Sequence, residues 1–306
     1  MATQPPLEEQ IREWKQRRNA VILAHNYQIP EVQDLADFTG DSLELSRRAT
    51  EVAWADVIVF CGVHFMAETA AILNPGKTVL IPDREAGCPM ADMITGEQLR
   101  EMKAAHPDAV TVCYVNSTAE VKAESDCCCT SGNALDIIRS YPEDREIIFV
   151  PDQYLGEHTA ESTGRRLILW PGYCPSHARI MESDIAAARQ EHPDAEVLVH
   201  PECKGPVRHA ADKVLSTGGM ARYVAASPTK EFVIGTETGM LHRLRRDNPD
   251  KVFHVLSERC LCPNMKKIRV EKILWALERL TPKVEVPEPV RGRAERAILA
   301  MLERSS

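Results

Sequence analysis

Short apolar runs that stop at polar residues recur along the chain in a fixed order. Residues 21–24 end at His25, 110–113 at Tyr114 and 197–199 at His200. Such runs, bounded by polar or turn residues, predict buried parallel strands. Each is followed by a hydroxyl-bearing turn that opens a helical pattern, at Asp41-Ser42, Thr130-Ser131 and Ser216-Thr217. A second strand is predicted at 57–60, 147–150 and 232–235, and a third at 79–81, 167–170 and 252–256. A Cys-Pro turn comes next, then a helix over 96–105, 183–191 or 270–280.

The order is that of a repeat. Cys88-Pro89, Cys174-Pro175 and Cys262-Pro263 are spaced by 86 and 88 residues, where shuffling would give about 0.65 such pairs in all. His106-Pro107-Asp108-Ala109 returns as His192-Pro193-Asp194-Ala195 in the same phase. Alternating strands and helices predict α/β layers with parallel sheets. The period predicts three pseudo-symmetric three-layer (α/β/α) domains, at 19–105, 106–191 and 192–282. A helix at 7–18 and a tail at 283–306, helical from 291 to 303, are expected to pack near the first. The competing architecture is one large doubly wound sheet with accidental repetition.

Composition narrows the chemistry. The chain has 306 residues and a net charge of −8, with no basic stripe. That argues against nucleic acid or an anionic membrane surface as partner. No apolar run is long enough to span a bilayer. The first eighteen residues are polar, without the apolar core of a signal peptide, so a cytoplasmic location is expected. In a reducing compartment the ten cysteines are read as metal ligands or bystanders rather than disulfides.

In open α/β sheets, ligands gather outside the carboxyl ends of the strands. There the first repeat places His25, Asn26 and Tyr27, the second Tyr114, Asn116 and Ser117, and the third His200, Glu202 and Cys203. If the repeats face one another, Cys88, Cys174 and Cys262 meet as three thiols from three domains. Three cysteines and one further ligand suit zinc, and thiolates equally suit an iron–sulfur cluster. There is no local Cys-x-x-Cys pair, so ligands this far apart favour a cluster between domains. Three protein ligands leave one iron of a four-iron cluster open as a Lewis acid.

The other cysteines are read first as structural. Cys61 and Cys113 sit in apolar runs, where free cysteine acts as a small hydrophobe. In the run Cys127-Cys128-Cys129, neighbours on an extended segment point to opposite faces. Cys203 is open, and Cys260 is the rival of Cys262. His177, three residues after Cys174, is placed beside the ligands. His64, His158, His209, His242 and His254 are read as ordinary hydrogen-bonded histidines. Ser42, Ser131, Ser216 and Thr217 suit helix N-caps, and helix N-termini also suit anions and phosphates. No Walker A loop or Rossmann glycine fingerprint is present, which argues against a nucleotide cofactor.

Several motifs together carry a resemblance: Ala24-His25-Asn26-Tyr27-Gln28, Gly40-Asp41-Ser42-Leu43, Gly87-Cys88-Pro89-Met90-Ala91 and Tyr114-Val115-Asn116-Ser117. They continue with Cys129-Thr130-Ser131-Gly132-Asn133-Ala134, Gly172-Tyr173-Cys174-Pro175, His200-Pro201-Glu202-Cys203 and Cys262-Pro263-Asn264-Met265-Lys266. In this order the chain resembles the quinolinate synthase family of bacterial de novo NAD biosynthesis. The resemblance implies a triangle of three α/β domains around a central cavity. It implies one [4Fe-4S] cluster per chain, held by Cys88, Cys174 and Cys262. It implies a transferase-type condensation of iminosuccinate with dihydroxyacetone phosphate to quinolinate, phosphate and water, with coupling to an L-aspartate oxidase or dehydrogenase that supplies iminosuccinate.

Residue type and resemblance assign Tyr114, Asn116, Ser131 and Thr217 to substrate carboxylates, and Ser42 with His25 to the phosphate-bearing end. Tyr27, His200, Glu202 and His25 are the catalytic candidates, and His200 and Glu202 are also placed among the substrate-binding residues. Where some relatives carry Cys-x-x-Cys-x-x-Cys, this chain has only Cys260-Leu261-Cys262. The alternatives are a cluster-dependent hydro-lyase acting on a small carboxylic acid, and a non-catalytic metal-storage or redox-sensing module.

Overall fold

In the computed structural model, which describes residues 5–304, the strands form three separate four-stranded sheets. The first contains β1 (Ala20–His25), β2 (Phe38–Gly40), β3 (Val57–Cys61) and β4 (Thr78–Leu80). The second contains β5 (Val110–Tyr114), β6 (Cys127–Cys129), β7 (Ile147–Val150) and β8 (Ile168–Leu169). The third contains β9 (Glu196–Val199), β10 (Lys213–Val214), β11 (Glu231–Gly235) and β12 (Val252–Val255). All pairings are parallel, and the orders are β2-β1-β3-β4, β6-β5-β7-β8 and β10-β9-β11-β12. One topology is thus used three times, with helices between the strands. The architecture is the α/β one that the apolar pattern predicts, rather than one large sheet.

Local chemistry explains the elements. Strands β1, β3, β5 and β7 are buried at every position, as sheets covered on both faces require. The His-Pro-Asp-Ala segments are matching turns, in which the Ala109 and Ala195 N–H groups donate to the His106 and His192 carbonyls at 3.1 Å. The helices Ser42–Glu51 and Gly96–Ala105 start with reciprocal capping boxes, Asp41 with Glu44 and Thr95 with Gln98.

The sequence pattern predicts three strands per repeat, and the structure has four. The additional ones, β2, β6 and β10, are edge strands of two or three residues that lack the aliphatic run marking β4 and β8 at the other edges. Each is entered through an aspartate whose Oδ2 accepts a backbone N–H from the strand beside it. Asp37 takes that of Ile22 (2.8 Å), Asp126 that of Thr111 (2.8 Å) and Asp212 that of Val197 (2.7 Å).

The N-terminal helix Leu7–Arg17 packs on the helix Val270–Arg279 and on β1. Residues 282–284 run antiparallel to β4, with the Val284 N–H on the Val79 carbonyl at 2.9 Å, which shields that edge. The closing helix Val290–Glu303 reaches Ala119–Ala123 and β6 of the second repeat more extensively than His64–Leu73 of the first. The first and third repeats approach closely at two glycines. A Cβ on Gly239 would lie 2.8 Å from the Tyr27 backbone, and one on Gly218 would lie 2.3 Å from Asp41 Oδ2. No helix among the described residues is long and apolar enough to cross a membrane.

Candidate active site

One cavity, with about 650 Å³ of empty space including its mouth, is lined from all three repeats. Its walls come from the carboxyl ends of the strands, as the open-sheet rule requires. The segments after β1 to β4 give His25, Tyr27, Ser42 and Cys88. Those after β5, β6 and β8 give Tyr114, Asn116, Ser131, Cys174 and His177, and those after β9 to β12 give His200, Glu202, Thr217, Glu237 and Cys262. The cavity lining thus includes the cysteine, catalytic and substrate candidates named from the sequence, whereas Asn26, Ser117 and Cys203, named at the same strand ends, do not line it.

The three Cys-Pro turns are built alike. Each leads into a 3₁₀ turn that starts three residues after the cysteine: Ala91–Met93, His177–Arg179 and Met265–Lys267. The N–H of that third residue points at the sulfur, from Ala91 to Cys88, His177 to Cys174 and Met265 to Cys262. Burial raises all three thiols, Cys88 to about 12, while these N–H groups favour the thiolate. Cys88, Cys174 and Cys262 are the three cysteines that line the cavity, and the other seven are fully buried. Cys260 packs with Cys203 in the core of the third repeat. Cys127, Cys128 and Cys129 are edge strand β6, in the core.

The polar residues at the helix starts divide their labour. Capping falls to Asp41 in the first repeat and Ser216 in the third, which accept from Glu44 N–H (2.8 Å) and Gly219 N–H (3.1 Å). In the second, Thr130 Oγ1 accepts from Gly132 N–H at 3.2 Å. Ser42, Ser131 and Thr217 each follow these residues by one position, cap no helix and line the cavity, which Asp41 and Thr130 also reach. Thr217 Oγ1 also accepts from Asn26 Nδ2 at 3.0 Å, joining the third repeat to the first.

Charged and titratable groups meet around Glu202. Its carboxylate takes a hydrogen bond from the Tyr114 hydroxyl at 2.5 Å and lies 2.7 Å from His177 Nδ1. Burial alone would raise the Glu202 carboxyl, but His177, His200 and the Tyr114 hydroxyl hold it below the usual carboxylate range. His25 and His200 are both pushed down to about 3, chiefly by burial, so each imidazole is neutral at pH 7.

A second chain of contacts was not visible from the sequence. The Tyr27 hydroxyl lies 2.6 Å from Thr236 Oγ1, which lies 2.9 Å from His177 Nε2. Tyr27 is raised well above 10, by burial and then by Glu202, so it carries its proton. Fully buried Glu237 was also missed. Its carboxylate accepts the Cys262 N–H at 3.1 Å and pairs with Lys266 at 3.0 Å, while Lys266 donates to the Tyr27 carbonyl at 2.5 Å. Thr236 and Glu237 follow β11, and its position at the end of a predicted strand was the available signal.

The chain matches the quinolinate synthetase A protein family over residues 9–303. The chain belongs to this family. Its relatives include the quinolinate synthase of Dehalococcoides mccartyi, 56% identical over 296 residues and 97% of each chain. That of Geobacter metallireducens is 53% identical over 296 residues, again 97% of each. That of Thermus thermophilus is 52% identical over 300 residues, 97% of this chain and 96% of the relative. The resemblance read from the motifs and the family found over the whole chain agree.

Proposed function

We propose that this chain is a quinolinate synthase that condenses iminosuccinate with dihydroxyacetone phosphate, giving quinolinate, phosphate and water. The observation that carries the reading is the single cavity into which three structural repeats direct three cysteines, neutral histidines and helix-start hydroxyls. The domains are taken as 19–105, 106–191 and 192–282, and the location as cytoplasmic. An L-aspartate oxidase or dehydrogenase is the expected source of iminosuccinate.

The donor set fits a [4Fe-4S] cluster. Cys88, Cys174 and Cys262 are soft ligands that line one cavity, each with a backbone N–H at its sulfur. Such a cluster would supply an open iron that acts as a Lewis acid on a substrate carboxylate or nitrogen and on departing hydroxyl groups.

The chain's own residues bind, orient and move protons. Nδ1 of His25 and of His200 accepts a backbone N–H, so the proton of each neutral ring sits on Nε2. Two uncharged donors are thereby offered to anionic groups, His25 with Ser42 to the phosphate and His200 to a carboxylate. Asn116, Ser131 and Thr217 hold the substrate carboxylates, which lowers the entropic part of the barrier. Glu202, kept ionised, fixes Tyr114 and His177. Tyr27 gives and takes back the proton needed to isomerise the keto sugar and eliminate phosphate, and Thr236 links its hydroxyl to His177.

The test is turnover by anaerobically prepared, iron-loaded protein, with iminosuccinate supplied with and without dihydroxyacetone phosphate. Quinolinate and phosphate released only with both substrates support the reading. Turnover of a carboxylic acid without dihydroxyacetone phosphate would instead mark a hydro-lyase, and absence of any turnover with iron intact would favour a sensor.

A further inference from the structure

The third repeat carries another cluster of side chains of metal-ligating type, gathered around Glu231 at the amino end of β11 and so at the opposite end of that strand from the cavity. His192 follows the helix Glu182–Glu191, Glu231 opens β11, and His254 lies in β12 beside Val233. His192 Nδ1 and His254 Nε2 approach the same Glu231 oxygen, Oε1, at 3.4 and 2.8 Å. One donor atom from each residue lies within 4.8 Å of the others. Ligand atoms held at 2.0–2.2 Å around a tetrahedral zinc ion sit roughly 3.3 Å apart, so the spacing is close to that of a ligand set.

The corner is well fixed. The His192 N–H donates to the Ala188 carbonyl at 2.8 Å, and its own carbonyl closes the His-Pro-Asp-Ala turn. The two imidazoles stack with centroids 3.6 Å apart and planes at 17°. Seating an ion opens that stack by turning each ring about χ2, a broad torsion for histidine. All three side chains are partly exposed, so an ion can enter from solvent.

The internal repeat supplies a comparison. In the second repeat the same turn places His106, and Glu146 directly precedes β7, with His106 Nδ1 and Glu146 Oε2 3.9 Å apart. Strand register sets Ile168 at the position of His254, since Ile168 pairs with Ile148 as His254 pairs with Val233. The second repeat thus has two of the donors and an aliphatic residue in place of the third.

We propose that His192, Glu231 and His254 form a site for a borderline divalent cation, Zn²⁺ above all, that pins the start of the third sheet. Imidazole nitrogens with a carboxylate select such ions over Mg²⁺ or Ca²⁺. The site is separate from the cysteine-lined cavity, and the inference does not depend on the catalytic reading.

Anaerobically purified, iron-loaded wild type, His254→Val and Glu231→Gln are dialysed to equilibrium against Zn²⁺, and bound zinc and thermal midpoint are measured. All three proteins keep Cys88, Cys174 and Cys262, so zinc taken up by thiols cancels in the comparison. The wild type should hold one zinc per chain more than either variant, and zinc should raise the Tm of the wild type alone. Ile168→His, which gives the second repeat the same donor types, should gain zinc over wild type. Should His254→Val fail to fold, Glu231→Gln leaves both rings in place and decides the matter. Equal zinc in wild type and Glu231→Gln would overturn the proposal.

Discussion

His25 and His200 make the same hydrogen bond in different repeats: each Nδ1 accepts the backbone N–H of the residue two places on, Tyr27 or Glu202, at 3.2 Å. The carbonyl of each also accepts the N–H three places on, from Gln28 or Cys203, at 3.0 Å. One turn therefore orients both rings and sets both tautomers. A hydrogen bond to a charged group is worth about 1.5–3 kcal/mol, so His25→Ala should lower kcat/KM roughly ten- to a hundred-fold. His25→Gln, which keeps an N–H donor, should lose less. Equal loss in the two variants, by steady-state kinetics in dihydroxyacetone phosphate, would argue that His25 contributes packing rather than a donor.

Tyr27, Thr236 and His177 form one hydrogen-bonded series, so their removal should be non-additive. Tyr27→Phe should lower kcat by about 10²–10⁴-fold, the range of a general acid or base. Thr236→Val keeps the shape and removes the hydroxyl that joins the other two. The double variant should be little slower than Tyr27→Phe alone. Multiplicative losses would show that the hydroxyls act independently.

Asp212 gives a pH-dependent prediction. Although burial would raise its carboxyl, the Arg189 guanidinium and the Val197 N–H hold it below the usual range. A carboxyl depressed on folding stabilises the fold above the ordinary aspartate pKa of about 3.9, and that stabilisation is lost as pH falls through the folded value. Asp212→Asn should lower Tm at pH 7, with the gap to wild type closing below about pH 4. A gap of the same size at pH 3 and pH 7 would remove the ionised carboxylate from the explanation.

Asp37, Asp126 and Asp212 also show what was legible in the sequence. They recur once per repeat, 89 and 86 residues apart, and mark the edge strands that the apolar pattern misses. A central strand such as Ile147–Val150 declares itself by burial of every residue. The edge strands β4 and β8 lie in aliphatic runs and are predicted, whereas β2, β6 and β10 lack such a run and are held by neighbours and one aspartate, which hydropathy does not record. The cavity was readable for a related reason, since strand ends are fixed by the period. What the period cannot show is contact between unlike residues of different repeats. His177 occupies the position of Ala91 and Met265 after its Cys-Pro turn, so nothing in the phase pairs it with Thr236 or Glu202.

Close packing of the first and third repeats should make Gly239 intolerant of a side chain. A Cβ there meets the Tyr27 carbonyl carbon and oxygen at 2.8 Å, and backbone cannot swing aside. Overpacking of this kind costs about 1–3 kcal/mol. Gly239→Ala should lower Tm and turnover together, because the displaced backbone carries Tyr27. Gly76→Ala, whose Cβ would meet nothing within 4 Å, is the control. An unchanged Tm in Gly239→Ala would mean that the two repeats are not held this tightly in solution.

The paired cysteines Cys260 and Cys262 separate ligation from packing. They are two residues apart, yet Cys260 is fully buried in the third repeat's core while Cys262 lines the cavity. Burial raises the Cys260 thiol well above its ordinary value, next to Cys203. Cys262 has the Met265 and Asn264 N–H groups on its sulfur, and its own N–H is held by Glu237. Cys262→Ala should therefore abolish iron binding and activity, as should Cys88→Ala and Cys174→Ala. Cys260→Ala removes one buried atom, at a cost of roughly 1 kcal/mol of stability, and should keep its iron, its absorption spectrum and most of its turnover. Iron and sulfide analysis of the anaerobically purified variants, with their Tm, distinguishes the two behaviours. Full iron in Cys262→Ala together with loss in Cys260→Ala would mean that the chain reorganises around the metal and that the buried thiol is the ligand.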